Sequence, residues 1–253
     1  MGALFYKIET LTNTHVGSGD TNYGVIDNLI QRDVVTDLPT INGSSLKGAL
    51  KEFFDDKKFE KIDEVFGSND NKAGYYFLSA NLLTIPLRSN KKAYFLATCP
   101  YIIKQLQDDA TDFSVNIDLS AFKNYHPQKG KPIVFIDDTD DLIIEDFYEY
   151  ETKPVPEKYT VFTDVESLMI LNDEDFKEIC NDSNLPVIAR NKVGEDKNLW
   201  YEQVVPSKTQ FYFTLMHNED NLEEFEKTLM SDIIHIGANA TVGYGFTKIS
   251  KLS

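Results

Sequence analysis

What most constrains this chain is the order of elements at its two ends. Leu4, Tyr6, Ile8 and Thr10 alternate with Phe5, Lys7, Glu9 and Leu11, which makes residues 4–11 a strand. Leu46, Ala49, Leu50, Phe53 and Phe54 then recur at helical spacing, with Ser44 and Ser45 placed to cap the first turn. Near the other end, Leu222, Phe225 and Leu229 give residues 219–230 the apolar stripe of an amphipathic helix. Residues 233–249 follow as strand, glycine-rich turn and strand. Between the two helices, Tyr75 to Leu87 and the aromatic and β-branched stretch from Asn198 to Leu215 read as strands, the latter broken by Pro206. Strand then helix at each end, with strands between, predicts an α+β fold with a ferredoxin-like (RRM-like) β-α-β-β-α-β core.

A single domain over residues 1–253 is expected, with large insertions within 55–74 and 107–200. Val25 to Val35 reads as a second extended stretch, Ala93 to Thr98 as a short strand, and Pro100 as the opening of a helix through Ile102, Ile103 and Leu106. No apolar run approaches the roughly 20 residues of a membrane span, so no membrane partner is expected. The first residues carry no basic segment followed by an apolar run, which argues against a secretory leader. Cys99 and Cys180, the two cysteines, are too few and too far apart for a zinc site or a disulfide framework, so a reducing, cytoplasmic location is expected.

The charge balance looks hostile to nucleic acid: 25 basic against 41 acidic side chains, a net of −16. Its distribution changes that reading. Between Asp137 and Asp182 lie 16 acidic and 3 basic residues, a net of −13, so the other 207 residues carry only −3. The acidic block reads as an insertion or an outer face. Elsewhere basic residues recur in small groups, among them Lys47 with Lys51 and Arg190 with Lys192. A phosphate-tracking groove needs a local field rather than a basic whole, so RNA binding is permitted.

Four segments carry chemistry. In His15-Val16-Gly17-Ser18-Gly19, two glycines around a serine let backbone approach a ligand, though ordinary turns share the pattern. In Gly24-Val25-Ile26-Asp27-Asn28-Leu29-Ile30-Gln31-Arg32, an acid sits within an otherwise apolar stretch. Such an acid must cap, pair or coordinate. Pairing with Arg32 is one explanation; presentation to a phosphodiester, holding a metal ion or orienting a 2′-hydroxyl, is the other. In Asn42-Gly43-Ser44-Ser45-Leu46-Lys47-Gly48, a helix start with hydroxyls and a lysine suits phosphate, but the spacing excludes a Walker A loop. In Gly237-Ala238-Asn239-Ala240-Thr241-Val242-Gly243-Tyr244-Gly245, three glycines make a loop able to lie along a sugar–phosphate chain; a plain hairpin turn is the alternative.

Together these segments resemble the RAMP proteins of CRISPR systems, and more closely the repeated backbone subunit of the type III-B (Cmr) effector complex. Residues 82–89 (Leu-Leu-Thr-Ile-Pro-Leu-Arg-Ser), Cys99-Pro100 and Leu199-Trp200-Tyr201-Glu202-Gln-Val-Val-Pro206 extend the likeness, and the Leu-Trp-Tyr-Glu run favours III-B over the III-A (Csm) relative. Gln203, Ala238 and Asp37 depart from the family pattern. The resemblance implies copies stacked along a CRISPR guide RNA beside other type III effector subunits, with a β-hairpin thumb in each copy. It implies cleavage of complementary target RNA by a metal-dependent endoribonuclease using a divalent ion, magnesium or manganese. By the same resemblance Asp27 is the catalytic residue and metal ligand, with His15 and Glu202 assisting. The guide-binding set it implies is Gly17, Ser18, Gly19, Arg32, Ser44, Ser45, Lys47, Gly237, Asn239, Thr241, Gly243, Tyr244 and Gly245. A scaffold that binds guide RNA without cutting is the alternative. A phosphate-ligand enzyme built on Ser44 to Lys47 would need a second acid–base group around a closed pocket, and the sequence offers none.

Overall fold

The computed structural model describes residues 1–19, 24–136, 141–154, 161–162, 168–192, 198–218 and 222–252. Its strands in chain order are β1 (Gly2–Thr10), β2 (Thr40–Ile41), β3 (Tyr75–Phe77), β4 (Ala80–Arg88), β5 (Tyr94–Thr98), β6 (Ile133–Phe135), β7 (Glu151–Lys153), β8 (Leu168–Ile170), β9 (Val187–Lys192), β10 (Asn198–Gln203), β11 (Gln210–His217), β12 (Ile234–His235) and β13 (Phe246–Lys251). The α-helices are α1 (Gly43–Asp56), α2 (Ile62–Phe66), α3 (Pro100–Asp112), α4 (Asp173–Ile179) and α5 (Glu223–Leu229).

At the centre of the main sheet the order is β13-β1-β11-β4, and every neighbouring pair is antiparallel. With α1 leading from β1 toward β4 and α5 from β11 to β13, each crossover skips one strand. That interleaving is the split β-α-β arrangement expected from the two chain ends. Both faces of β1 are buried, because Phe5 and Tyr6 point to opposite sides. Phe5 stacks on Tyr212 at 6.3 Å and meets Phe113 just beyond α3. Tyr6 stacks on Phe213 at 5.3 Å and donates to Glu226 of α5. On that second side α1 and α5 lie together through Phe54 and Phe225, whose rings stack at 4.9 Å.

The middle of the chain widens this sheet: β5 pairs β4, β8 pairs β5 in parallel, and β6 and β7 continue outward. The acidic block is therefore more than an outer face. Leu168, Met169, Ile170 and Phe176 within it are buried, and β8 is a sheet strand. Residues 137–140, 155–160 and 163–167 of the block lie outside the described residues. The excursion at 55–74 holds α2, and Tyr75 to Leu87 divides into β3 and β4. The last helix begins at Glu223; residues 219–221 are outside the described set. β9 and β10 form a separate antiparallel pair off the main sheet.

Cys99 and Cys180 are free and buried, and burial pushes both thiols well above their usual range, so neither is a ready nucleophile. Among the described residues no helix is long and apolar enough to cross a membrane.

Candidate nucleic-acid interface

The glycine turn after β1 rests on His15. The imidazole is buried, and its Nδ1 lies 2.6 Å from the carbonyl of Gln203; a carbonyl only accepts, so Nδ1 carries the hydrogen. Nε2 faces the turn, where a Cβ on Gly17 would come within 3.1 Å of it. His15 is thus a strut under the turn rather than a side chain offered to solvent. The Ser18 N–H donates to Leu29 and the Gln31 N–H to Val16, which fixes the turn against residues 29–31. Ser18 and Gly19 are exposed at its crest.

Gln31 joins this turn to α1. Its Nε2 donates to the Gly17 carbonyl at 3.1 Å and to Ser45 Oγ at 2.9 Å, while its Oε1 accepts the Asn42 N–H at 2.7 Å. The serines do not cap α1 as the sequence suggested. Asn42 is the N-cap and makes no side-chain cap bond. Ser44 is exposed and Ser45 answers Gln31, because both stand inside the first turn, past the cap position. Lys47 is half-buried one turn further on.

The C-terminal loop docks on the same turn. Ala238 donates its N–H to the His15 carbonyl at 2.9 Å, and Gly245 donates to Asn13 at 3.0 Å. Gly237 has φ +101°, and a Cβ there would sit 2.3 Å from the His15 carbonyl oxygen, so only glycine allows the approach. Thr241 and Gly243 are exposed at the tip, around a 3₁₀ turn at Ala240–Val242. Tyr244 lies under the Arg190 guanidinium, 4.6 Å from its carbon to the ring centre.

Residues 25–35 are not a continuous strand. They make isolated bridges at Asn28, Ile30 and Arg32, and Val25, Val34 and Val35 are exposed, so the apolar setting expected for Asp27 is absent. Asp27 is itself exposed. Its N–H and that of Asn28 donate to the Tyr201 carbonyl, each at 3.1 Å, and Tyr201 N–H returns a bond to Asp27 Oδ2 at 2.8 Å. The anticipated Arg32 pairing does not form. Arg32 binds Asp182 at 2.8 Å and the Asp37 carbonyl at 2.6 Å, with its side chain 13% exposed, which corrects its assignment to the RNA surface. Asp27 has no ion-pair partner among the described residues.

Glu202 is enclosed rather than poised. One oxygen accepts from Trp200 Nε1 at 2.8 Å; the other meets Arg190 at 2.6 Å and Asn239 Nδ2 at 3.0 Å. With its oxygens committed, it organises the β9–β10 pair against the C-terminal loop. The next residue, Gln203, is a buried hub whose amide reaches Ile30 N–H at 3.3 Å and Asp182 at 3.1 Å. The glycine turn, α1 start, C-terminal loop and Asp27 segment are therefore joined through Gln31, His15, Gln203 and Glu202. Sequence reasoning missed the role of Gln31 and read Arg190 as a basic surface group rather than as the partner of Glu202; the sole cue to Gln31 was an amide lodged between Ile30 and Arg32. Among the described residues no three His, Cys, Asp or Glu side chains gather as a metal site.

A family model described as the RAMP superfamily matches residues 7–248. The CRISPR system Cmr endoribonuclease Cmr4 of Pyrococcus furiosus is 28% identical, the match covering 99% of this chain and 96% of that protein. The CRISPR system CMR subunit Cmr4 of Saccharolobus solfataricus is 26% identical over 98% and 96%. Among solved structures, a chain of the type III-B Cmr-beta complex bound to cognate target RNA aligns with TM-score 0.79 at 26% identity, covering 100% of this chain and 98% of that one. Oligomeric Cmr4 from Pyrococcus furiosus aligns at 0.74 with 23% identity, covering 99% and 98%, a likeness of fold.

Proposed function

Because the chain belongs to the RAMP superfamily, we propose that it is the repeated backbone subunit of a type III-B RNA-guided effector, holding guide RNA and cutting complementary target RNA. The carrying observation is the convergence of the glycine turn, the α1 start and the C-terminal loop, with an unpaired carboxylate beside them. Two relatives named as Cmr4, one an endoribonuclease, each matched over 96% of its length, support the same reading. Such a subunit works in the cytoplasm, with guide RNA, target RNA, further copies of itself and other effector subunits as partners.

Backbone N–H groups, hydroxyls and one lysine suit a protein that leaves sequence choice to base pairing and reads the guide by its backbone. The β9–β10 pair, which holds Asp27 through Tyr201, is the candidate thumb. Displacing one target nucleotide there frees its ribose torsions, so the 2′-oxygen can align with phosphorus and the leaving 5′-oxygen. Asp27, one oxygen fixed by Tyr201, accepts the 2′-hydroxyl proton as the O2′–P bond forms and the P–O5′ bond breaks; water protonates the leaving oxygen. His15 and Glu202 act by holding the turn and the hairpin in place. A lone carboxylate fits a magnesium-type ion only in the mode where substrate phosphate and water complete the shell, and a divalent ion so held would neutralise phosphate charge.

Asp27→Asn in the assembled complex is expected to lower target cleavage at least about 100-fold while copy number and guide content stay unchanged. Undiminished cutting by that variant refutes the catalytic assignment. Cleavage that never appears in wild-type complex, with divalent ions supplied, identifies a scaffold instead.

A further inference from the structure

Beside α1 lies an open hollow of about 510 Å³ that meets the interface described above at Lys47. One wall is α1 itself, where Lys47 and Lys51 stand one turn apart on the same face. The other is the loop after α2, which contributes Ser68, Asn69 and Asn71.

This hollow is shaped by the core. Phe66 forms part of its lining, stacked on Phe77 at 5.2 Å and edge-on to Phe54 at 5.5 Å. The loop is closed by backbone bonds, Ser68 N–H to Asn71 and Gly74 N–H to Glu64 at 2.9 and 2.7 Å. Gly67 adopts φ +79°, and a Cβ there would lie 2.9 Å from the Ala73 nitrogen. The shape thus owes nothing to the polar side chains lining it. Neither lysine has an ion pair, and Ser68, Asn69 and Asn71 have no side-chain hydrogen bond, among the described residues.

Charge is sorted here against the local composition. From Lys47 to Ala73 the chain carries seven acids and six lysines, yet no carboxylate lines the hollow. Two like charges at this helical spacing disfavour an isolated helix, and Asp55, one turn past Lys51, lines no part of the hollow and forms no ion pair with that lysine. Lysine ammoniums as point charges, beside amide and hydroxyl donors, match a phosphate whose ribose offers one more hydroxyl.

We propose that this hollow binds one phosphodiester of single-stranded RNA, continuing the strand's track past the α1 start. The proposal rests on the chain being an RNA-binding subunit. Lys51, Asn69 and Asn71 are its new contacts, and Lys47 is shared between hollow and helix start.

The test is equilibrium binding of an unstructured oligoribonucleotide to the full chain across a salt series, for wild type, Lys51→Gln, Asn71→Asp and Lys47→Gln. Lys51→Gln is expected to weaken binding about three- to fivefold near physiological salt and to reduce the log–log salt slope by about 0.7, one single-strand phosphate contact. Asn71→Asp, which puts a carboxylate in the hollow, should weaken it at least as much with an unchanged thermal midpoint. If Lys47→Gln weakens binding while Lys51→Gln and Asn71→Asp leave affinity and slope intact, the hollow is not on the track although the RNA-binding reading stands. If inorganic phosphate raises the thermal midpoint of wild type but not of Lys51→Gln, and RNA affinity is the same in both, the hollow takes a free anion and the proposal fails. A wild-type chain that binds no RNA defeats both readings together.

Discussion

Three hydrogen bonds make Gln31 the residue on which the glycine turn and the first helix depend for their mutual placement. An isosteric apolar replacement would strand the Asn42 N–H and the Gly17 carbonyl. Gln31→Leu is therefore expected to cost about 1–3 kcal/mol in chemical denaturation, the usual penalty for a buried polar group left without a partner. Gln31→Glu behaves differently. A carboxylate still accepts from Asn42, and Ser45 can turn its hydroxyl to donate where it had accepted, but the second oxygen faces the Gly17 carbonyl as an acceptor where an amide donated. Protonation restores that donor, so the folded state favours the protonated form and raises the carboxyl pKa at this site. The stability gap from wild type should consequently close as pH falls through that titration and widen as pH rises, whereas the Leu variant keeps a constant gap. A pH-independent gap for the Glu variant would show that the Gly17 bond is not what matters.

At the level of elements, the ends of the chain were legible because their periodicity reports local burial. β1, α1, α3 and β13 lie where alternation, helical spacing, Pro100 and the glycine-rich turn put them. The four chemical segments could be picked out because glycine beside serine, lysine or an acid is a local pattern. What could not be read was pairing across distance: Arg32 with Asp182, Glu202 with Arg190 and Asn239, and Tyr201 with Asp27. Each depends on how strands far apart in sequence come together, and no residue pattern encodes that. The Glu202–Arg190 pair has a measurable consequence for the β9–β10 element. Both side chains are largely buried, 8% and 16% exposed, so removing one leaves the other's charge in a poorly solvated place. Glu202→Ala is expected to lose about 3–5 kcal/mol. Arg190→Met with Glu202→Leu should recover part of that, with a coupling energy of about 0.5–3 kcal/mol from the double-mutant cycle. Strict additivity of the two changes would mean the pair does not hold the hairpin.

For the whole molecule, the question raised by a charge of −16 is how an acidic protein could hold a polyanion. The answer begins with segregation along the chain: −13 of that charge falls between Asp137 and Asp182, leaving the other 207 residues at −3, and salt weakens what exposed charges exert beyond about 8 Å. Within the block, however, acids differ by what they touch. Glu149 and Glu178 are exposed and carry no ion pair among the described residues, whereas Asp182 binds both Arg32 and the Gln203 amide. Reversing the first two should shift stability by no more than about 0.5 kcal/mol each and leave RNA affinity near wild type. Their effect should appear in self-association, since charge on an outward face sets how copies repel or meet. Asp182→Lys is expected to behave as an interface variant instead. It sets a second cation against Arg32 and deprives Gln203, which also supports His15 and Ile30, of one acceptor. Sedimentation and RNA-binding isotherms on the three variants separate these cases: if Asp182→Lys moved only self-association while Glu149→Lys moved RNA affinity, the long-range field, not the local network, would govern how this surface meets RNA.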